Sequence, residues 1–268
     1  MSSLLTPSDF ETSPTLSSER LQPSHLKQMK AAGNRIAALT AYDYPTARLL
    51  DEAGVDCLLV GDSLGMVVLG YPDTTSVTLQ DIVHHTRAAA RGVKHALLVA
   101  DLPIGTYDRP EQALLSALEL IEAGAQAVKL EGCHTAHIKK LVSHDIPVMA
   151  HLGMLPQQVR EEGGYKVKGK TPADADRLVR ESLAVEEAGA FAAVLEIVVP
   201  AVAHDISRKL AIPTIGIGSG TQCDGQILVT HDLIGFFPWF TPKFVRPAVR
   251  IGETIRDAAR EFVADVKR

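Results

Sequence analysis

Ile121-Glu-Ala-Gly-Ala-Gln-Ala-Val-Lys-Leu-Glu131 reads as the end of a helix, a glycine, and a short buried strand that stops on an acid. The same sentence occurs twice more, as Leu50-Asp-Glu-Ala-Gly-Val-Asp-Cys-Leu-Leu-Val60 and as Glu186-Glu-Ala-Gly-Ala-Phe-Ala-Ala-Val-Leu-Glu196. In each, the glycine (Gly54, Gly124, Gly189) suits the left-handed conformation that closes a last helical turn, which a Cβ would penalise. The apolar run that follows is short and nearly continuous, as in a parallel strand covered on both faces. A chain that repeats helix, glycine and buried strand is built from βα units.

Working outward, Arg35–Thr40, Ala96–Ala100, Pro147–Ala150 and Thr214–Ile217 have the same look as Cys57–Val60, Ala127–Leu130 and Ala192–Leu195, which makes seven strands. Between them, Leu79–Arg91, Pro110–Ala123, Ala173–Ala188 and Ala201–Lys209 carry apolar residues at helical spacing, with Leu114, Leu115, Leu118 and Ile121 expected on one face. An eighth strand is placed at Phe244–Ala248, ahead of a last helix over Val249–Val266. The expected fold is α/β, a single (β/α)8 TIM barrel over residues 25–268. A doubly wound sheet would want a glycine fingerprint after its first strand, and Leu39-Thr-Ala-Tyr-Asp43 has none. Residues 1–24, rich in Ser, Thr and Pro, read as a flexible arm rather than a targeting peptide.

Composition narrows the partners. With 46% hydrophobic but only 5% aromatic residues, Val, Ile, Leu and Ala must fill the core. A net charge of -5 with interspersed signs offers no basic stripe for nucleic acid, which points to small molecules. No apolar run approaches the roughly 18 residues of a membrane span. Cys57, Cys133 and Cys223 form no C-x-x-C pair, so neither a zinc knuckle nor a disulfide framework is suggested, and a reducing cytoplasm fits.

The echo is also chemical. Counting from each helix-ending glycine lands on an acid, Asp62, Glu131 or Glu196, and Asp101 ends the Ala96 strand in the same way. In a parallel barrel the C-terminal strand ends form the floor of the active site, so these acids converge. Lys129 and Glu131, two apart, point to one side of their strand. A single acid at a strand end is as readily a helix cap as a catalytic group. Four acids with one lysine are harder to explain that way, because clustered carboxylates repel unless a cation compensates. An all-oxygen donor set favours Mg2+, with Mn2+ or Co2+ as alternatives.

His151 directly follows its strand and is expected at the same mouth, whereas His134 and His137, like His84 and His85, are expected on solvated helix faces. Gly216-Ile-Gly-Ser-Gly220 could cradle a phosphate but matches neither the dinucleotide pattern nor the P-loop. The basic, glycine-rich stretch Gly153–Thr171 suits a mobile lid over an anionic ligand, with a plain surface loop as the alternative.

Leu39-Thr-Ala-Tyr-Asp43, Val60-Gly-Asp-Ser-Leu-Gly65, Val128-Lys-Leu-Glu-Gly132, Ala150-His-Leu-Gly153, and Gly216–Gly220 with Asp224-Gly-Gln-Ile-Leu228 closely resemble the ketopantoate hydroxymethyltransferase family, over about Leu26 to Arg246. The resemblance implies a barrel of the phosphoenolpyruvate/pyruvate type. It also implies transfer of a hydroxymethyl group from 5,10-methylenetetrahydrofolate to 3-methyl-2-oxobutanoate in pantothenate biosynthesis, by a homo-oligomer, commonly a decamer. Carried over by motif, Asp62 and Asp101 match direct metal ligands and Glu131 an acid that holds the metal through water. Ser63 and Lys129 match groups holding the oxo-acid, Glu196 the general base, and His151 a group that orients substrate or assists proton transfer.

Two departures stand out: Leu195-Glu-Ile-Val-Val-Pro200 carries one residue more than the family's Leu-Glu-x-Val-Pro, and Cys133 stands where a second glycine is usual. A carbon–carbon lyase or phosphonopyruvate mutase on the same barrel is the competing enzyme reading, but its Lys-x-x-Cys-Gly-type loop is missing. A catalytically dead, ring-forming paralogue is the other alternative, against which the full set of charged residues counts.

Overall fold

The computed structural model describes residues 19–268. Its strands are β1 (Ile36–Thr40), β2 (Cys57–Val60), β3 (Leu97–Asp101), β4 (Ala127–Glu131), β5 (Val148–Gly153), β6 (Ala192–Glu196), β7 (Thr214–Ile217) and β8 (Gly225–Leu228). Each pairs in parallel with the next, and β8 returns to β1, closing a barrel. The helices are α1 (Pro23–Ala31), α2 (Tyr44–Glu52), α3 (Leu64–Val67), α4 (Leu79–Ala90), α5 (Pro110–Glu122), α6 (Thr135–Val142), α7 (Val159–Glu162), α8 (Pro172–Glu187), α9 (Pro200–Lys209), α10 (Thr230–Leu233) and α11 (Ile251–Val266). As the echo requires, Gly54, Gly124 and Gly189 all have positive φ, at 82°, 110° and 103°.

Alternation along the strands sorts the core into two layers. Leu58, Val60, Leu98, Ala100, Val128, Leu130, Val148, Ala150, Ala193 and Leu195 face outward and meet the helices. Ile36, Cys57, Leu59, Leu97, Val99, Ala127, Met149, Ala192, Val194 and Ile215 face inward and fill the barrel. Continuing the inward series upward leads to Asp101, Lys129, Glu131, His151 and Glu196.

The eighth strand differs from the expected Phe244–Ala248. β7 reaches β8 through the 218–224 loop without an intervening helix, so the βα rhythm skips a beat there. Gly225 also hides the strand from an apolar count: a Cβ on it would lie 2.5 Å from the Ile36 carbonyl oxygen, and only glycine lets β8 approach β1. Residues 244–248, beside Pro242 and Pro247, form an irregular segment instead.

On α5 half of the expected apolar face meets the barrel: Leu114 and Ile121 pack partly buried against the core, whereas Leu115 and Leu118 do not. Ala113, Ser116, Ala117 and Leu120 are buried, while Leu115 and Leu118 are 66% and 48% exposed. Small residues bring the helix close to the sheet, and the leucines one position along face out.

The expected N-terminal arm lies outside the described residues up to position 18. Its last residues, 19–24, are bound to the barrel: the Leu21 amide donates to the His95 carbonyl at 2.7 Å, Gln126 Nε2 donates to the Leu21 carbonyl at 2.8 Å, and Pro23 already opens α1. α1 underlies the barrel, with Leu26 fully buried in the inner layer and Lys30 Nζ donating to Asp224 Oδ2 at 2.9 Å.

Candidate active site

Strand register assembles the cup. Asp101 is the Cα partner of Lys129, Glu131 of His151, and Gly153 of Glu196, so neighbouring strands deliver these inward side chains side by side. Asp62 sits just beyond β2, and its amide donates to Asp101 Oδ2 at 2.9 Å. Lys129 Nζ lies 2.9 Å from Asp101 Oδ1 and 3.2 Å from His151 Nδ1. The His151 ring spans two acids, with Nδ1 at 3.4 Å from Glu131 Oε1 and Nε2 at 3.2 Å from Glu196 Oε2. Ser63 shares a 2.8 Å hydrogen bond with Tyr42 OH. Asp62, Asp101, Lys129, Glu131 and His151 are each at most 4% exposed. The Glu196 side chain, at 13%, and Ser63 are the partly open members of the set.

The structure brings together every sequence-predicted site residue and overturns the capping alternative. The helices after β2, β3, β4 and β6 begin at Ser63, Arg109, His134 and Val199, and none of the four acids occupies an N-cap.

Electrostatics follow from packing charges out of water. Burial, then the charges of Asp101 and Glu131, holds the Asp62 carboxyl well above the usual range. Burial raises Asp101 as well, against the pull of Lys129. Glu131 is also pushed up by burial, but His151, Lys129 and the Gln157 amide outweigh this and hold it low. Burial works to discharge Lys129, and the three acids overcome it and raise its pKa. For His151, burial and Lys129 favour the neutral ring, yet Glu131 and Glu196 prevail and push it up to about 9.

The donor set suits a hard cation. Asp101 Oδ1 and Glu131 Oε1 are buried oxygens whose neighbours are ionic, Lys129 Nζ at 2.9 Å and His151 Nδ1 at 3.4 Å. Among the described residues no three His, Cys, Asp or Glu side chains form a ready-made metal cage. Mg2+ takes only one or two carboxylates and completes its shell with water or substrate oxygens.

Other expectations are corrected. His137 is buried, not solvated: it packs edge-on against His134, which in turn packs on Tyr107. His85 is half-buried with Nδ1 2.6 Å from the Tyr42 carbonyl oxygen, while His84 is exposed. Gly216–Gly220 is a packing loop: buried Ser219 Oγ accepts from the Val198 amide at 2.9 Å and donates to the Leu195 carbonyl at 2.7 Å, bracing the exit of the Glu196 strand. The segment 153–171 contains α7 and is tied to the rest of the fold by a bidentate Arg160–Asp73 pair and by the Lys168 amide on the Ile197 carbonyl at 2.9 Å. Cys133 is exposed and does not take a positive φ, so the missing glycine imposes no strain. Sequence reasoning overlooked Tyr42, Tyr107 and Gln157, uncharged groups that carry no signal until the fold puts them against the acids.

Fold and cup together define a (β/α)8 barrel enzyme with a carboxylate-lined mouth. Solved structures agree on the fold. A phosphoenolpyruvate phosphomutase from Streptomyces platensis subsp. rosaceus superposes with a TM-score of 0.64 at 16% identity, covering 92% of this chain and 89% of that one. A 2,3-dimethylmalate lyase of the PEP mutase/isocitrate lyase superfamily gives 0.59 at 18% identity, covering 92% and 87%.

The family model for ketopantoate hydroxymethyltransferase matches residues 20–268, and the chain belongs to that family. A 3-methyl-2-oxobutanoate hydroxymethyltransferase of Acetivibrio thermocellus is 52% identical over 90% of this chain and 86% of its own length. One of Trichodesmium erythraeum is 52% identical over 91% and 94%. The chain is therefore an enzyme of the hydroxymethyltransferase class, which sets aside the lyase and mutase alternative. No helix among the described residues is long and apolar enough to cross a membrane.

Proposed function

We propose that this enzyme transfers a hydroxymethyl group from 5,10-methylenetetrahydrofolate to 3-methyl-2-oxobutanoate, giving ketopantoate on the route to pantothenate and coenzyme A. The observation that carries the reading is the placement of Glu196, partly open and 3.2 Å from His151, on the rim of a buried cup of three acids and one lysine. Asp62 and Asp101 would hold a divalent ion, Mg2+ or alternatively Mn2+ or Co2+, with Glu131 contributing through water. When bound, the ion supplies Lewis acidity toward the oxo and carboxylate oxygens of the substrate. Ser63 and Lys129 bind the oxo-acid, and the Lys129 ammonium stabilises negative charge developing on the oxo oxygen. Glu196 removes the C3 proton, and His151 fixes the orientation of that carboxylate. The C3 carbon then attacks the methylene carbon of the folate, one C–N bond of the bridge breaking as the C–C bond forms. Water displaces the second nitrogen, leaving a hydroxymethyl group on C3 and tetrahydrofolate as the other product.

The enzyme works in the cytoplasm, as its free cysteines suggest, and as a homo-oligomer, a decamer by family resemblance. An amphipathic α11 that buries none of its residues, with Phe262 and Val266 69% and 68% exposed, supports self-association.

The test is exchange of the C3 proton of 3-methyl-2-oxobutanoate in D2O, followed by NMR without folate. Exchange should depend on Mg2+ or Co2+, and Glu196→Gln should keep oxo-acid binding while slowing exchange by about a hundredfold or more. Unchanged exchange in Glu196→Gln would remove that residue as the base. No exchange with either metal would favour the catalytically dead paralogue.

A further inference from the structure

Gln157 is uncharged, 4% exposed and hydrogen-bonded through every polar atom of its side chain. Its Nε2 donates to Asp62 Oδ2 at 2.8 Å and to the Leu102 carbonyl at 3.0 Å. Its Oε1 accepts from Tyr107 OH at 2.5 Å, and its backbone amide donates to Glu131 Oε2 at 3.0 Å. The amide orientation is fixed by the Leu102 carbonyl, which can only accept, so nitrogen must face it and the oxygen is left to accept from the Tyr107 hydroxyl. One residue therefore binds one oxygen on each of two acids from different strands. It does so from the 3-10 turn Pro156–Gln158, where the chain leaves β5 for α7.

We infer that Gln157 is a positioning residue, held by Tyr107, that immobilises Asp62 and Glu131 and ties the start of the 154–171 segment to them. Occupying Asp62 Oδ2 leaves Oδ1 as the oxygen offered to the cup. Occupying Glu131 Oε2 leaves Oε1 facing the cup, with His151 Nδ1 3.4 Å away. Each acid thus turns its other oxygen toward the cup in a set direction, as outer hydrogen bonds do for metal-ligating carboxylates. The same contacts make the 154–171 segment a strap that shares its anchor with the acids. In its metal aspect the inference rests on the reading proposed above; its strap aspect does not.

The test uses the full-length protein and the variants Gln157→Leu and Tyr107→Phe. Two measurements are made: Co2+ and Mg2+ binding by isothermal titration calorimetry, and hydrogen–deuterium exchange of the Val159–Gly164 amides in metal-free protein. Gln157→Leu should weaken Co2+ by about tenfold or more and speed exchange at 159–164 severalfold, while protection on β4 and β5 stays as in the parent. Tyr107→Phe keeps the ring packed on His134 and leaves Gln157 Oε1 without its donor, so it should shift both readouts the same way, by less. Unchanged exchange at 159–164 in Gln157→Leu overturns the inference whatever the metal does. Tighter Co2+ binding in that variant also overturns it, because Gln157 would then be a competitor for Asp62. Absence of metal binding in the parent protein defeats the metal reading instead, and the exchange measurement still decides the role of Gln157.

Discussion

His151 Nε2 lies 3.2 Å from Glu196 Oε2, while Nδ1 of the same ring lies 3.4 Å from Glu131 Oε1. One imidazole thus separates the acid proposed as base from an acid of the proposed metal cup. Burial and Lys129 oppose its charge, but the two carboxylates push its pKa up to about 9 from 6.5. A folded-state pKa above the unfolded value means that the imidazolium stabilises the fold fully below about pH 6.5, and that this contribution fades as pH rises through about 9. Urea unfolding of the metal-free protein should therefore show stability falling across that window. His151→Asn should start less stable at pH 6 and fall less. Parallel pH profiles for the two proteins would show that the ring is not charged in the fold.

Lys129 is the fixed cation of a cup that otherwise holds Asp62, Asp101 and Glu131. Removing one partner of a buried charge pair costs about 3–5 kcal/mol, because the remaining charge is left uncompensated. Lys129→Met should accordingly melt well below the parent in EDTA and recover part of the loss with Mg2+, since a ligand that binds only the folded state stabilises it. Asp101→Asn should abolish the rise in Tm that Mg2+ gives the parent. Equal rises in parent and Asp101→Asn, followed by differential scanning calorimetry, would exclude this residue as a ligand.

Ile255, Phe262, Val263 and Val266 lie on α11 at 48%, 69%, 45% and 68% exposure. An uncovered apolar stripe of this kind marks a protein–protein contact more often than a free surface. Light scattering should find the parent as a large assembly and Phe262→Asp with Val266→Asp as a smaller species with unaltered secondary structure. A monomeric parent would defeat the proposed oligomer.

What the sequence disclosed followed from periodicity and charge. Gly54, Gly124 and Gly189 punctuated the chain, and counting seven or eight residues onward from them found Asp62, Glu131 and Glu196, because a nearly constant strand length returns each strand end to the same rim. The eighth strand was hidden where that period failed, in the helix-free step from β7 to β8. Leu115 and Leu118 misled because helical spacing reveals that a stripe exists but not which of two adjacent stripes meets the sheet. Gln157 was invisible because its role arises from hydrogen bonds to residues 95 and 26 positions away, and no local pattern encodes those.

Ile197, the residue after Glu196, takes a φ of +49°, a conformation that a β-branched side chain resists. The strained residue sits directly behind the carboxylate without turning Glu196 out of register. The Ile197 amide donates to the Ile217 carbonyl at 2.8 Å, and Glu196 stays in register with Gly153 and Ile217. Glycine supplies that φ freely. Ile197→Gly should therefore keep C3 proton exchange, with strain relief of roughly 1–2 kcal/mol offset by glycine's added chain entropy of roughly 0.5–1 kcal/mol and by lost packing. On the other flank, Gly153 has a φ of +97°, and a Cβ there would lie 2.3 Å from the Glu196 carbonyl oxygen. Gly153→Ala must push the Glu196 backbone aside, and a displacement of about 1 Å is enough to slow exchange by about a hundredfold. Measured side by side by NMR, the two variants separate φ from space as the factor that aims the carboxylate. Loss of exchange in Ile197→Gly with retention in Gly153→Ala would show that the Ile197 side chain, rather than the path of the backbone, holds Glu196 in place.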